Sequence, residues 1–444
     1  MNTKRLFTLL AFSVASFCLG AQATQASQKV TIKSEIASPV VLENAQEKNY
    51  LKISLTGFPL EIRKRSPINL ALVIDRSGSM TGERIEKARD AAAMAVSMLD
   101  SDDTLSIVAY DSTVEVIAPA GKVRDKQRLI DKIRKLRAGG MTALFAGVSK
   151  GLDQVGKHLD KEQVNRIILL SDGQANVGPA SVNELAGLAK IAAKKGVAIT
   201  TLGLGKDYNE DLMTSIAGYS DGNHVFVEKS VDLEKTFASE FNDVMSVVAQ
   251  DVEVVIKTAS QVTPVRLLGR DGEIKGNTVT VKLNQLYSNQ EKYVLLEVIP
   301  ARGSRSESKA LAEVTVNYNN LESKNKDTYQ ESLAVRYTDS RDEMSKAVVE
   351  DVLVDSAIQK MAIQNEQALR LIDEGKMDEA KAVLDQSAEE LEALPVSQAP
   401  ARQKIQESVI MNKSMGEKMM KDEKSVSRKA LKEQNYNVQK QIRK

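Results

Sequence analysis

The chain has 444 residues, enough for two to four domains that each bury a core. Its 61 Lys and Arg against 60 Asp and Glu give a net charge of +1, which excludes general nucleic-acid binding through phosphates. Aromatics make up 4% of the residues and Trp is absent, which argues against stacking platforms for sugars or bases.

Residues 1–23 read as a secretory signal peptide. Lys4 and Arg5 precede an apolar run from Leu6 to Leu19, and Ala21-Gln22-Ala23 offers small residues for cleavage. The run is too short for an ordinary membrane span, and no second long apolar segment follows, so no transmembrane segment is expected. Bulky Phe17 ahead of Cys18 argues against a lipid anchor. Cleavage takes away the one cysteine, so an exported product, periplasmic or secreted, is expected to stand without disulfides.

Residues 28–66 hold short alternating runs, such as Tyr50-Leu51-Lys52-Ile53-Ser54-Leu55, expected as strands of a β-sandwich. Ile68 to Ile74 is apolar apart from Asn69 and runs into Asp75, Ser77 and Ser79, the pattern of a buried parallel strand ending in a polar loop. Ile85, Ala88, Ala92, Ala95 and Leu99 then recur at helical spacing. Strands at 104–110, 113–117, 165–170, 197–203 and 223–227 alternate with helices marked by Leu129 and Ile133, by Leu144, Val148 and Leu152, and near 182–195, 209–217 and 231–248. The 113–117 strand follows its predecessor after two residues, so it is expected to pair antiparallel. Over 68–248 this predicts an α/β domain on a doubly wound, mostly parallel six-stranded sheet, with ligands at the carboxyl ends of its strands.

Residues 251–338 return to strand alternation and predict an antiparallel β-sandwich that the 28–66 strands join, so that the α/β domain is an insertion with adjacent ends. A C-terminal α-helical region follows. Residues 341–394 read as a helical hairpin broken at Gly375, which resembles a tetratricopeptide unit, and 401–444 as one polar, partly disordered helix set off by Pro395 and Pro400. The basic excess of Lys413, Lys418, Lys421, Lys424, Arg428, Lys429 and Lys432 fits a solvated face, or a weak contact with acidic envelope surfaces.

The loop after Ile74 carries the chemistry. Asp75, Ser77 and Ser79 alternate, and Gly78 leaves the turn unobstructed. Only hard oxygen donors are offered, as a magnesium-like cation prefers. Asp-x-Ser-x-Ser after a strand resembles the start of the metal-ion-dependent adhesion site of von Willebrand factor A domains. In that family a threonine from a second loop and an aspartate from a third complete the site. Thr142, in Gly139-Gly140-Met141-Thr142-Ala143-Leu144, and Asp172, in Leu169-Leu170-Ser171-Asp172-Gly173, match both in type, order and context. The resemblance covers roughly two fifths of the chain. It implies Mg2+ (or Mn2+/Ca2+) touched by Ser77, Ser79 and Thr142, with Asp75 and Asp172 acting through waters or at longer range. It also implies a protein ligand that supplies Glu or Asp to the metal. Capping would explain each residue singly, but not why all fall at one edge of one sheet.

Catalytic patterns fail on particular residues. A haloacid-dehalogenase-type site needs a second Asp where Ser77 stands, which removes the proton donor. His158 and His224 have no serine elbow nearby, and both read as ordinary surface or packing residues. The stretch Gly151 to His158 lacks the Ser or Thr of a phosphate loop and lies within a predicted helix. The expectation is an exported, non-enzymatic protein that binds a partner through a cation. The alternatives are a cell-envelope structural or assembly factor acting through its C-terminal helices, and a Mg-dependent phosphohydrolase.

Overall fold

The computed structural model describes residues 29–61, 65–421 and 423–442, so the predicted leader lies outside the described residues. Three short strands come first, β1 (Thr31–Ile36), β2 (Val40–Leu42) and β3 (Asn49–Thr56). The α/β part then runs β4 (Ile68–Asp75), α1 (Glu83–Met98), β5 (Thr104–Tyr110), β6 (Val114–Lys122), α2 (Lys126–Arg134) and α3 (Leu144–Gly156). It continues through β7 (Val164–Ser171), α4 (Val182–Lys194), β8 (Ala198–Leu204), α5 (Glu210–Tyr219), β9 (His224–Val227) and α6 (Leu233–Met245).

The six strands lie in the order β6-β5-β4-β7-β8-β9, parallel except for the β5–β6 pair. Helices α1, α2 and α6 cover one face of this sheet and α3, α4 and α5 the other. Every residue of β4 is buried, as a strand covered on both faces requires. The fit is close. Gly147 of α3 abuts the Tyr110 ring, where an added Cβ would come within 2.4 Å of Cδ1. Chain direction across the sheet reverses at β4, between β5 and β7, which puts the switch-point crevice at Asp75.

The sandwich strands are β10 (Val247–Thr258), β11 (Thr263–Leu268), β12 (Glu273–Lys275), β13 (Thr278–Tyr287), β14 (Glu291–Ile299), β15 (Ser308–Asn320) and β16 (Lys326–Thr338). One sheet has the order β1-β3-β14-β11 and the other β12-β13-β10-β15-β16-β2. The amino-terminal strands therefore enter both sheets, with β2 parallel to β16. The ends of the α/β part are tied together, since Leu321 O accepts from Ser66 Oγ and Leu321 N donates to Val248 O. β10 starts at Val247, so the last residues of the expected 68–248 unit already belong to the sandwich.

The remaining helices are α7 (Arg341–Lys346), α8 (Glu350–Asp373), α9 (Met377–Glu392), α10 (Ala399–Met419) and α11 (Lys424–Lys440). The expected single polar helix over 401–444 is thus two helices, the first ending at Met419 and the second starting at Lys424, and the 341–394 hairpin is part of a larger bundle. Val354 and Met361 of α8 pack with Leu391, Ile405 and Val409, while Leu369 packs with Leu384, Met419 and Leu431. Lys52 of β3 is covered from the other side. It points away from the sandwich core, yet only 1% of it is exposed, because α8 lies over that face and supplies Asp351 and Asp355.

Candidate functional site

The expected residues come from three loops at the carboxyl ends of the central strands, and backbone hydrogen bonds stitch those loops together. Arg76 N donates to Tyr110 O, Gly139 N to Arg76 O and Gly78 N to Gly140 O, which ties the second loop to the first. Thr142 N donates to Asn176 Oδ1 over 2.7 Å, and Asn176 N and Val177 N donate back to Thr142 O, which ties the third loop to the second. These bonds satisfy backbone groups that a buried loop crossing would otherwise leave unpaired.

Asp75 is the last residue of β4 and is fully buried. Its Oδ1 accepts from Ser77 N at 2.8 Å. Its Oδ2 accepts from Ser171 Oγ at 2.7 Å and from Tyr110 OH at 3.1 Å. Burial pushes this carboxyl up to about 6, and the charge of Asp172 adds to the push, while hydrogen bonds from Ser171 and Ser77 pull it down. Ser77 is buried and Ser79 exposed, with their hydroxyl oxygens 3.2 Å apart. Thr142 and Asp172 are 2% and 1% exposed, so both face inward from their loops.

Asp172 is the electrostatic oddity. Its Oδ2 lies 3.4 Å from Arg84 Nη1, but its Oδ1 is buried without a hydrogen-bond partner. Of the four carboxylate oxygens of Asp75 and Asp172, three are engaged and this one is not. A buried anionic oxygen without a donor carries a desolvation cost of several kcal/mol, roughly, that a cation would offset. The surrounding donors are oxygens of hydroxyls and carboxylates, the set a hard divalent ion prefers, so the residues fit such an ion. Clusters of three or more His, Cys, Asp or Glu placed to hold a metal are absent among the described residues.

Four residues outside the sequence expectation contribute. Ser171 and Tyr110 orient Asp75, Asn176 anchors Thr142, and Arg84 faces Asp172. Ser171 stands beside Asp172 in sequence, and Tyr110 lies opposite Asp75 in the β4–β5 register, so strand alignment alone would have placed the tyrosine. His224 is buried, with its ring nitrogens 2.9 Å from Thr201 Oγ1 and 3.0 Å from Tyr208 OH, and His158 is exposed in the turn after α3. Gly151 and Gly156 lie inside α3, the helical position on which the phosphate loop was rejected.

Residues 69–240 match the model of the von Willebrand factor type A domain. An uncharacterised protein of Synechocystis is 28% identical over 258 residues, 56% of this chain, and the chain spans 61% of that relative's length. A von Willebrand factor type A protein from Catenulispora acidiphila superposes with a TM-score of 0.68 at 15% identity, over 87% of this chain and 97% of its own. The ArnB paralogue of Sulfolobus acidocaldarius gives 0.64 at 18% identity, over 92% and 98%. Both structural likenesses extend well past the matched domain, so the sheets and helices around it share the fold. Residues 69–240 form a von Willebrand factor type A domain.

Proposed function

We propose that this chain is an exported, non-enzymatic binding protein whose type A domain captures a protein partner through a divalent cation, Mg2+ (or Mn2+/Ca2+). The observation that carries the reading is the unpartnered, buried Asp172 Oδ1 beside the Ser77, Ser79 and Thr142 loops. Asp75 is held by three donors and stays oriented, and the exposed Ser79 leaves the site reachable from solvent. When bound, the cation supplies an electrophilic point for a Glu or Asp side chain of the partner. Two carboxylates balance a divalent charge without exceeding it, so that demand persists. Binding of protein partners is the general role of type A domains, which supports the reading.

The C-terminal helices pair part of their basic excess internally. Lys413 pairs with Glu392, Arg428 with Glu210, Asp211 and Asp373, Lys429 with Glu210 and Lys432 with Asp211, so these four of the seven basic residues have partners within the chain. Calorimetric titration of the full chain with Mg2+ tests the reading. One site is expected, lost in Asp172→Ala and Thr142→Ala variants that keep their circular dichroism. Capture of a partner should vanish in chelator, and p-nitrophenyl phosphate should not be turned over. Absence of Mg2+ binding, or phosphatase turnover lost in Asp75→Asn, would overturn it.

A further inference from the structure

Arg84 opens α1 and folds back over the loop that precedes it. Its Nη1 lies 3.3 Å from Ser79 O and 3.4 Å from Asp172 Oδ2, and its Nη2 lies 3.6 Å from Asp207 Oδ2. Gly205 makes room for it: a Cβ there would stand 2.6 Å from Nη2, and the backbone φ of +79° suits glycine. A quarter of the side chain remains exposed. It lines the mouth of a cavity of about 540 Å³ that Glu83, Asp207, Lys229 and Val231 also border. The same carboxylate thus carries a tethered cation on one oxygen and nothing on the other.

We propose that Arg84 is a specificity-determining residue whose guanidinium offsets one of the two site carboxylates, so that the loaded site keeps a positive charge and selects a carboxylate over a neutral ligand. This rests on the cation-site reading above. Asp75 and Asp172 with Arg84 sum to one net negative charge around the cation position, Asp207 being 72% exposed and screened by solvent. A divalent ion then makes the site singly positive, and one partner carboxylate neutralises it. Without Arg84 the two aspartates balance the ion, which still accepts an oxygen ligand, but a charged ligand loses its extra Coulomb advantage over a neutral one. The guanidinium cannot lose its proton, so its charge is constant across physiological pH. Coulomb interaction at these separations is attenuated but not abolished by the surrounding solvent.

The test uses the full chain as wild type, Arg84→Gln and Arg84→Lys, with Arg84→Met as a second neutral variant. Mg2+ alone is titrated first, and then acetate and acetamide are titrated into the Mg2+-loaded protein, followed by NMR shifts. Neutral variants are expected to bind Mg2+ at least ten-fold more tightly and to lose at least ten-fold of the preference for acetate over acetamide, the lower bound for one unit charge acting across a few ångströms with near-aqueous screening. Arg84→Lys should restore both. Equal Mg2+ affinity and equal preference in wild type and neutral variants would overturn the proposal while leaving the cation site standing. A wild type that binds no Mg2+ would overturn both.

Discussion

Ser171 shows how much of the site rests on a residue that is not itself one of the expected ligands. Its hydroxyl donates to Asp75 Oδ2 and accepts from Gly173 N at 2.8 Å, joining the first and third loops through one side chain. A hydrogen bond to a charged group contributes about 1.5 kcal/mol or more. Ser171→Ala is therefore expected to weaken Mg2+ binding roughly ten-fold by calorimetry, with the fold retained. Tyr110 acts on the same carboxylate from β5, and its ring is pinned by Gly147. Gly147→Ala should lower stability in urea by about 1–3 kcal/mol through overpacking. Gly187→Ala, on the same domain with nothing within 4 Å of the new Cβ, should leave stability unchanged or raise it by up to about 1 kcal/mol. Destabilisation of both by the same amount would show that crowding at Tyr110 is not the cause.

At the scale of elements, the C-terminal helices are fixed to the rest by ion pairs, some of them from basic residues expected on a solvated face. Lys52 of β3 meets Asp351 and Asp355 of α8 and Glu291 of β14, and Lys404 of α10 reaches the same two aspartates. Burial works against ionised Asp351, but hydrogen bonds from Lys404 and Lys52 outweigh it and hold the carboxyl at about 2, down from 3.8. A carboxyl depressed on folding stabilises above its unfolded value and loses that contribution as pH falls. Stability should thus decline between about pH 4 and pH 2, and Asp351→Asn should flatten that part of the profile in urea melts. Arg428 of α11 makes the second clamp, bridging Glu210 and Asp211 at the start of α5 to Asp373 at the end of α8. Removing it leaves Glu210, which is largely buried, with Lys429 alone. Arg428→Met is expected to cost about 2–4 kcal/mol, seen as a lower urea midpoint with an unchanged slope.

Across the described residues, the cores of the sandwich, the α/β domain and the helices share walls. The inner face of the β1-β3-β14-β11 sheet packs on the other sandwich sheet through Leu51, Ile53, Leu55, Val294 and Leu296. Its outer face, with Tyr50, Tyr293 and Leu295, packs under Val352 of α8. Arg166 of β7 is fully buried and crosses from the α/β sheet to Gln285 and Tyr287 of β13, so the inserted domain is keyed into the sandwich. A chain ending at Ser340 would uncover Tyr50, Tyr293 and Leu295 and strip Lys52 of two of its carboxylate partners. It is expected to aggregate or melt well below the full chain by calorimetry, and an unaltered melting temperature would show the helices to be an independent lobe.

The linear order of residues determined the strand and helix alternation of the α/β domain and the chemical type of its candidate ligands. Period-two and period-3.6 patterns are local, and the loop donors sit at strand ends that those patterns mark. Tertiary structure alone decided that the Lys52 face of β3 is covered and that Arg428, Lys429 and Lys432 of α11 pair with the acids that open α5. It also decided that one oxygen of Asp172 is left without a donor while its twin meets Arg84. Each of these depends on which surface a distant segment lands on, and a one-dimensional pattern of polar and apolar residues does not contain that information.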